Sequence, residues 1–280
     1  MKATFVLEEP IGGLGNQLFQ VASLLSITKD LSANLMLPIW IQSAWGSVTS
    51  PTYWTTIFRN VYSILQPPSQ TNLVKYEMVN TGKQFYYQDF SQHKDTDDCV
   101  VIRGLLMNKN YFLHNLEYIR KFIHPDSSVQ YTLDTDEYVN VCVGVRRNTY
   151  EKNTQHAFPT QYFIDALDTF LAKYSIQPSD KPLRFAIFTD DAEWSTEFIK
   201  DYLRSRNMPN EYIVFKGDRD GITDVQHFHE MFFCKHFVLS HSTFHYWPAL
   251  LCEKEDTIIV YNPRGYYKDI VQPNWISVDF

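Results

Sequence analysis

The chain has 280 residues, of which 44% are hydrophobic and 20% are charged. This balance supports a packed core in one large or two small domains and excludes global disorder. The formal net charge of −7 argues against bulk binding to nucleic acid. A local cluster of basic residues in such a chain therefore indicates a functional site.

The cysteines and the apolar runs bear on the compartment. None of the four cysteines belongs to a Cys-x-x-Cys pair, and Cys99 and Cys142 lie in apolar runs, where a thiol packs as a small hydrophobic group. No apolar run approaches the roughly 18 residues of a membrane span, and no signal peptide precedes the first strand. We expect a cytoplasmic chain with reduced thiols and no zinc site; a membrane-anchored or lumenal native form is the alternative.

A glycine-rich loop follows the first predicted strand, which covers residues 4–7. Within Ile11–Gln20, three of four consecutive positions are glycine, which permits a tight turn and close approach of the backbone to a ligand. Asn16 is the expected N-cap of the helix that follows. That helix should bury one apolar face, formed by Leu18, Val21, Ala22 and Leu25. The pattern is typical of a nucleotide-binding βα unit, although it is not Gly-x-Gly-x-x-Gly and a plain connecting turn fits equally well.

The remainder of the first half is less regular. Short strands are predicted at 35–37 and 99–102, and a helix at 110–122. Residues 39–95 lack periodicity and carry many aromatic side chains. This segment either binds an acceptor substrate or is an ordinary irregular segment packed on the domain. The polar, acidic stretch 125–138 marks a domain boundary. We therefore expect one domain at 1–135 and a second at 136–280.

Strands and helices alternate throughout the second half. The pattern predicts strands at 141–145, 185–189, 213–215, 237–239 and 258–261, with helices at 160–174, at 192–206, within 221–234 and after 243. Such alternation indicates a parallel sheet with right-handed crossovers, and hence an α/β fold.

Polar groups follow three of these strands at their carboxyl ends. They are Arg146-Arg147, Asp190-Asp191 and Ser240–Thr243. Open α/β sheets bind their ligands at such ends. The planar guanidinium suits phosphate oxygens, and a helix start rich in Ser and Thr favours anions. Together they predict a metal-free diphosphate clamp, with a solvated arginine pair as the alternative.

Four stretches have the residue types and spacing of metal-ligand motifs. They are Asp134–Asp136, Asp218–Asp220, His227–His229 and His241–His245. The two Asp-x-Asp stretches lie in polar loops without a preceding apolar strand, which favours solvated turns. His227 and His229 would share a face only on a strand, and neither histidine pair has an evident third ligand. We expect no metal.

Five stretches follow one another along most of the chain in an order that one enzyme family shares. They are Gly12–Gln20, Gly104–Phe112, Arg146-Arg147, Phe188–Asp191 and Cys234–Trp247, of which the second matches loosely. The arginine pair matches the twin arginines of the family motif His-x-Arg-Arg-x-Asp-Tyr. In these motifs the chain resembles the α-1,2-fucosyltransferases of glycosyltransferase family 11.

The resemblance implies a GT-B architecture, with two Rossmann-like domains facing across a cleft. The first would be the acceptor side and the second would bind the nucleotide sugar. The implied reaction is inverting, metal-independent and cofactor-free transfer of fucose from GDP-fucose to a hydroxyl of a galactoside-like glycan, in α-1,2 linkage. The implied catalytic residues are Arg146 and Arg147. Glu151, which lies in the loop after them, is a candidate general base by its position alone, with an ordinary loop residue as the alternative. The implied donor-binding residues are Asn16, Arg146, Asp190, His227, Ser242, Thr243 and Phe244.

The chain departs from the family pattern at three positions. Gly144 stands where the motif has histidine, Thr149 where it has aspartate, and His227 where an aspartate is expected. These departures leave two alternatives, which are transfer from a different nucleotide sugar and a catalytically silent carbohydrate- or nucleotide-binding module. For the general base, His156, Glu8 and Glu9 are rivals of Glu151.

Overall fold

The structure is a computed structural model that describes residues 2–37, 42–45, 48–65, 72–78, 85–125, 131–147, 158–176, 178–217, 222–264 and 268–279. Contacts between residues divide the chain into two compact units. Unit 1 is residues 1–125 with 268–271, and unit 2 is residues 126–267 with 272–280. The division therefore lies between 125 and 126 rather than between 135 and 136, and a short segment near the C-terminus returns to unit 1.

Unit 1 contains a parallel sheet of four strands. They are β1 (Thr4–Leu7), β2 (Asn34–Met36), β5 (Asn72–Met78) and β6 (Asp98–Gly104), in the order β2-β1-β6-β5. An antiparallel pair, β3 (Gln42–Trp45) and β4 (Val48–Pro51), stands apart from that sheet. The sequence pattern predicts β1, β2 and β6 but not β5, which is an edge strand in which exposed side chains alternate with half-buried ones.

The long helix of unit 1, α1 (Leu14–Asp30), is buried on more than its predicted apolar face. Its buried polar side chains are Gln17, Gln20, Ser23, Ser26 and Thr28. Several of them bond to the loops around the sheet; Ser23 Oγ, for example, donates to the carbonyl of Leu106 at 3.2 Å. Hydrogen bonds from buried side chains of α1 therefore hold the neighbouring loops in place.

The predicted helix over 110–122 is wrong in extent. The segment forms two short 3-10 turns, Lys109–Tyr111 and Leu113–Asn115, before a short helix α2 (Leu116–Arg120). The cause is Asn115, whose backbone leaves the helical region because its buried amide donates to Ser26 Oγ at 2.9 Å and to Asp30 Oδ1 at 2.7 Å. A short polar side chain that bonds inward competes with helix formation.

Unit 2 is built around a parallel sheet of six strands. They are β7 (Val139–Val145), β8 (Leu183–Thr189), β9 (Tyr212–Lys216), β10 (His236–Leu239), β11 (Ile259–Tyr261) and β12 (Ile276–Ser277). Their order is β12-β11-β10-β7-β8-β9. Every residue of β7 is buried, which fits its uninterrupted run of apolar and small side chains.

Four α-helices in the described part of unit 2 accompany this sheet. They are α3 (Thr160–Tyr174), α4 (Ala192–Ser205), α5 (Thr223–Glu230) and α6 (Thr243–Cys252). Buried side chains of α3 and α4 pack with those of β7 and β8 into one apolar core. Within the described residues, no helix combines the length and the apolar character needed to cross a bilayer. All four cysteines are free thiols.

The strand order places a topological switch point between β7 and β10. From β7 the chain proceeds to β8 and β9 on one side, and then returns to β10 on the other side. Gly144 of β7 is paired with Leu239 of β10, so the two strands end side by side. The residues that follow them, Arg146 and Ser240, leave the sheet at the place where open α/β sheets bind ligands.

Candidate active site

Arg146 lies at this switch point with its guanidinium only lightly engaged. Its backbone N–H donates to Ser240 Oγ at 3.1 Å, which joins the ends of β7 and β10. Its Nε lies 3.5 Å from Asp190 Oδ2, a contact longer than an ordinary hydrogen bond. The side chain is 23% exposed. The guanidinium is therefore partly accessible, and its planar fork suits an anion.

Arg147 is held more firmly than its neighbour. Its backbone N–H donates to Asp190 Oδ1 at 2.7 Å, and its Nε donates to Asp191 Oδ2 at 3.4 Å. The guanidinium carbon lies 4.0 Å from the centre of the Trp194 ring, in cation–π geometry. Asp191 also caps α4 by accepting the N–H of Trp194 at 3.2 Å. The structure thus fixes Arg147 onto the start of α4.

The start of α6 forms the second part of the site. Ser242 is the N-cap, with extended backbone, and α6 begins at Thr243. No acidic side chain lies in the first turn, so the positive end of the helix dipole is not offset there. Phe244, the next residue, has its ring 6.3 Å from that of Phe228 on α5. Because α6 follows β10 closely and β10 pairs with β7, the predicted residues Ser242, Thr243 and Phe244 lie near the end of β7 that carries Arg146.

His227 lies on α5 and is buried. Its ring contacts Phe188 at 5.9 Å and Phe215 at 5.5 Å, edge to face, and those two rings stack on each other. The imidazole thus lines the carboxyl ends of β8 and β9, next to the site. His229, two residues on, bonds instead to Tyr131, so the helix separates the two histidines as expected. A donor-binding role of His227 stays a prediction.

The helix that follows the glycine loop of unit 1 has a different N-cap from the predicted one. The N-cap of α1 is Gly13, and Asn16 lies within the first turn, so its prediction as N-cap is wrong. Gly12 has φ +73°, and a Cβ there would lie 2.5 Å from Asn16 Nδ2. The Asn16 side chain therefore occupies the space that only glycine at position 12 leaves free.

Two glutamines of α1 hold this loop. Gln17 Nε2 donates to the carbonyl of Gly12 at 2.9 Å. Gln20 accepts the N–H of Ile11 at 2.9 Å and donates to the carbonyl of Gly104 at 2.8 Å. The loop is thereby tied both to its own helix and to the end of β6. Its backbone is fixed before any ligand arrives, while a contact of Asn16 with a donor stays a prediction.

The candidates for a general base are unequal. Glu151 and His156 lie outside the described residues. Glu9 is half-exposed and pairs with Arg103, with Oε1 and Nε 2.8 Å apart, and Glu8 pairs with Lys75 at 3.2 Å. Both carboxylates are thus engaged by a neighbouring cationic side chain.

Unit 1 contains a cavity of about 230 Å³ beside the ends of β5 and β6. Its lining is Tyr76, Glu77, Phe85, Tyr86, Tyr87, Gln88, Leu106 and Met107. Tyr86 and Tyr87, within the aromatic segment, are 57% and 50% exposed. Behind the lining, Tyr76 Oη lies 2.9 Å from Nε2 of His93, whose Nδ1 lies 2.7 Å from Asp98 Oδ2. Sequence reasoning missed this polar network, because its members share no short motif.

The stretch Asp134–Asp136, one of the four metal-ligand patterns, leads into a turn. Asp134 Oδ1 accepts the backbone N–H of Asp136 at 2.6 Å and that of Glu137 at 3.2 Å, which stabilises the turn. Residues 218–220 lie outside the described part of the chain. Within that part, no group of three or more His, Cys, Asp or Glu side chains is arranged to hold a metal ion. Metal independence itself stays a prediction.

Comparison with known proteins decides the family. The sequence matches the profile of Glycosyl transferase family 11 over residues 9–279. The chain belongs to this family. The predicted membership is confirmed, and it makes the chain a glycosyltransferase. A galactoside 2-alpha-L-fucosyltransferase from Caenorhabditis elegans is 23% identical over 179 residues, which cover 58% of this chain. Those residues span only 42% of that curated relative.

Two solved structures share the fold of this family 11 member. One is a FUT1 mutant of Arabidopsis thaliana in complex with GDP, with a TM-score of 0.55 and 13% identity over 95% of this chain and 71% of that one. The other is the fucosyltransferase NodZ from Bradyrhizobium, with a TM-score of 0.50 and 14% identity over 90% of this chain and 94% of that one. The predicted α/β fold of GT-B type is confirmed, with one parallel sheet in each unit.

Proposed function

We propose that this glycosyltransferase transfers fucose from GDP-fucose to a hydroxyl of a galactoside-like glycan, in α-1,2 linkage. The observation that carries the proposal is the adjacency of Arg146 and the start of α6 at the switch point of the unit 2 sheet. The activity of the C. elegans relative supports the sugar and the acceptor class, and the GDP in the A. thaliana structure supports the nucleotide.

The site supports this reaction through the charge of the leaving group. As transfer proceeds, the bond between the anomeric carbon and the β-phosphate oxygen breaks, and its electron pair leaves with GDP. The Arg146 guanidinium and the first-turn N–H groups of α6 stabilise that charge. The acceptor hydroxyl oxygen forms the new bond from the opposite face, so the anomeric configuration inverts, and a general base removes its proton. The sugar ring is oxocarbenium-like in between.

We propose Glu151 as that base and a reaction without a metal ion. Glu8 and Glu9 are engaged with cations, which leaves the loop after the arginines as the better source. A guanidinium and a helix start together supply the positive charge that a divalent ion supplies elsewhere. Transfer should persist in EDTA. Activity that disappears with EDTA and returns with Mn²⁺ would contradict the metal-free mechanism.

Unit 1 is the proposed acceptor side. Its cavity of about 230 Å³ is lined in part by Tyr86 and Tyr87, which are exposed side chains of the kind on which the apolar face of a sugar ring can stack. Glu77 on the same lining can accept hydrogen bonds from sugar hydroxyls. Tyr86→Ala should therefore raise KM for the acceptor while leaving KM for the nucleotide sugar unchanged.

The test of the donor is a thermal-shift screen with GDP, UDP and dTDP and their sugar conjugates. A ligand at 100 times its Kd stabilises the folded state by about 2.7 kcal/mol, so a bound nucleotide raises Tm. GDP and GDP-fucose should raise Tm, and UDP and dTDP should not. A response to another nucleotide alone would favour the second candidate donor, which the departures at Gly144 and His227 motivate.

The arginine clamp is tested with two variants of equal charge change. Arg146→Ala should lower transfer by about 10²–10³-fold and abolish the Tm increase with GDP. Arg204→Ala is the control, because Arg204 is 79% exposed and pairs only locally with Asp201. Turnover retained in Arg146→Ala would remove this residue from the mechanism. Nucleotide binding without detectable transfer to any glycan in the unmodified protein would favour the silent binding module.

A further inference from the structure

The space above Gly144 is filled by His245. A Cβ atom at position 144 would lie 2.4 Å from His245 Nδ1 and 2.6 Å from its Cγ. Real Cβ atoms do not approach other heavy atoms so closely, so the imidazole and any side chain at 144 exclude each other. Gly144 is also the position at which the family motif carries histidine. An imidazole therefore occupies this point of the site, supplied by α6 instead of β7.

The His245 ring is buried within the candidate site. It is 3% exposed and lies in the first turn of α6, three residues after the N-cap Ser242. Among the residues that the structure describes, its Nδ1 has no hydrogen-bond partner. A buried polar atom without a partner is uncommon and costs stability, so its retention needs an explanation.

The charges around His245 keep its imidazole neutral. The pKa of His245 is lowered to about 3, mainly by burial and then by the positive charge of Arg146 and by His227, while Asp190 acts in the opposite direction. A neutral imidazole carries one N–H and one acceptor nitrogen. Nδ1 faces the Cα of Gly144 without a partner, where a lone pair is less costly than an N–H. The proton accordingly lies on Nε2, which is then a hydrogen-bond donor.

We propose that His245 is a donor-substrate-binding residue, whose Nε2–H contacts the nucleotide sugar beside Arg146, and that Gly144 is glycine in order to admit it. The inference rests on the proposed function, since the ligand is the nucleotide diphosphate part of the donor. Arg146 supplies charge to the same ligand, whereas His245 supplies a directed, uncharged hydrogen bond. The steric exclusion at Gly144 and the partnerless Nδ1 carry the inference.

The test compares His245→Phe with His245→Gln. Phenylalanine keeps the size of the ring and removes both nitrogens, whereas the amide nitrogen of glutamine lies near the position of Nε2 and can donate. His245→Phe should fold, lose most of the Tm increase with GDP and show kcat/KM for the nucleotide sugar at least tenfold lower, mainly through KM. His245→Gln should regain part of both. KM for the acceptor should not change in either variant.

The steric relation is tested separately by Gly144→Ala. This variant should lower Tm in the otherwise unmodified protein and should lower it much less in His245→Ala, because the small residue leaves room for the added methyl group. If Gly144→Ala lowers Tm equally in the unmodified protein and in His245→Ala, the His245 ring does not exclude a side chain at position 144.

The outcomes distinguish this inference from the proposed function. If the unmodified protein responds to GDP and His245→Phe responds equally, with unchanged KM, the inference is overturned and the function stands. If Phe and Gln variants lose binding to the same extent, His245 is a packing residue and the inference is overturned. If the unmodified protein responds to no nucleotide at all, the proposed function fails and this inference fails with it.

Discussion

The guanidinium carbon of Arg147 lies 4.0 Å from the centre of the Trp194 ring. Trp194 in turn stacks on Phe198, with ring centres 4.9 Å apart and planes nearly parallel. With Asp191 bound to its Nε, Arg147 is anchored to α4 on two sides. For the side chain of Arg146, the preceding residue, the described residues supply the long contact with Asp190 and no shorter ion pair. We therefore propose different tasks for the twin arginines: Arg147 fixes the loop, and Arg146 contacts the ligand.

This difference predicts unequal effects of the same substitution. Arg147→Lys keeps the charge but loses the flat stacking on Trp194, which should lower the free energy of unfolding by about 1 kcal/mol. Arg146→Lys should leave stability unchanged within about 0.5 kcal/mol and lower kcat/KM more than tenfold, because an ammonium cannot bind two phosphate oxygens as the planar fork does. Urea unfolding and initial rates measure the two effects. Equal kinetic losses would contradict the division of tasks.

A second prediction concerns Asp190, which holds both arginines. Asp190→Ala leaves the part-buried N–H of Arg147 without its acceptor, which should cost about 1–3 kcal/mol of unfolding free energy. Asp190→Asn keeps an amide oxygen at that place and should cost less than half as much. Asp201→Ala is the control, because its ion pair with Arg204 is exposed and worth about 0–1 kcal/mol. If all three variants unfold at the same urea concentration, Asp190 does not hold this loop.

A third prediction concerns the glycine loop of unit 1. Gly12→Ala places alanine in the left-handed backbone region at φ +73°, which should lower the free energy of unfolding by about 1–2 kcal/mol. The added methyl group also collides with Asn16 Nδ2, which should lower the free energy of unfolding further. Gly13→Ala is the matched control, since φ there is −74° and the position is exposed. In the Asn16→Ala background the cost of Gly12→Ala should fall to the backbone part. An unchanged cost would show that the Asn16 side chain is not the obstacle.

The ends of the unit 2 strands can be predicted from the sequence alone. A run such as Val141–Val145, apolar on both faces and followed by two arginines, indicates a buried parallel strand whose carboxyl end carries polar groups. Because such ends meet at one edge of the sheet, the sequence predicts that Arg146, Asp190 and Ser240 converge. The structure brings these three together.

Other features depend on contacts that no local pattern records. Asn16 is a residue type that favours the N-cap position, but the helix begins earlier, with Gly13 as its N-cap. The helix predicted over 110–122 breaks at Asn115, because its amide bonds to α1, far away in the sequence. Trp194 lies 47 residues after Arg147, and nothing near either residue predicts their stacking. Long-range pairing of side chains decides each of these, and it overrides local preference.

The last prediction concerns acid stability and depends on His236 in β10. This histidine is buried, its ring packs against those of Phe170 and Tyr174, and its Nδ1 accepts the N–H of Ile258 at 3.0 Å. Burial and, to a smaller extent, the positive charge of Lys235 lower the pKa of His236 to about 4, while Asp256 acts in the opposite direction. The folded chain therefore keeps this imidazole neutral at pH values at which the unfolded chain binds a proton to it.

Since the unfolded state binds more protons between pH 6.5 and 4, the free energy of unfolding should be at its full value above pH 6.5 and should fall as the pH approaches 4. A single such group contributes a slope of up to about 1.4 kcal/mol per pH unit. His236→Asn retains an acceptor for the Ile258 N–H and does not titrate, so its unfolding free energy should fall less steeply over this range. Urea unfolding at half-unit pH steps compares the two slopes, and identical slopes would show that His236 becomes protonated without unfolding.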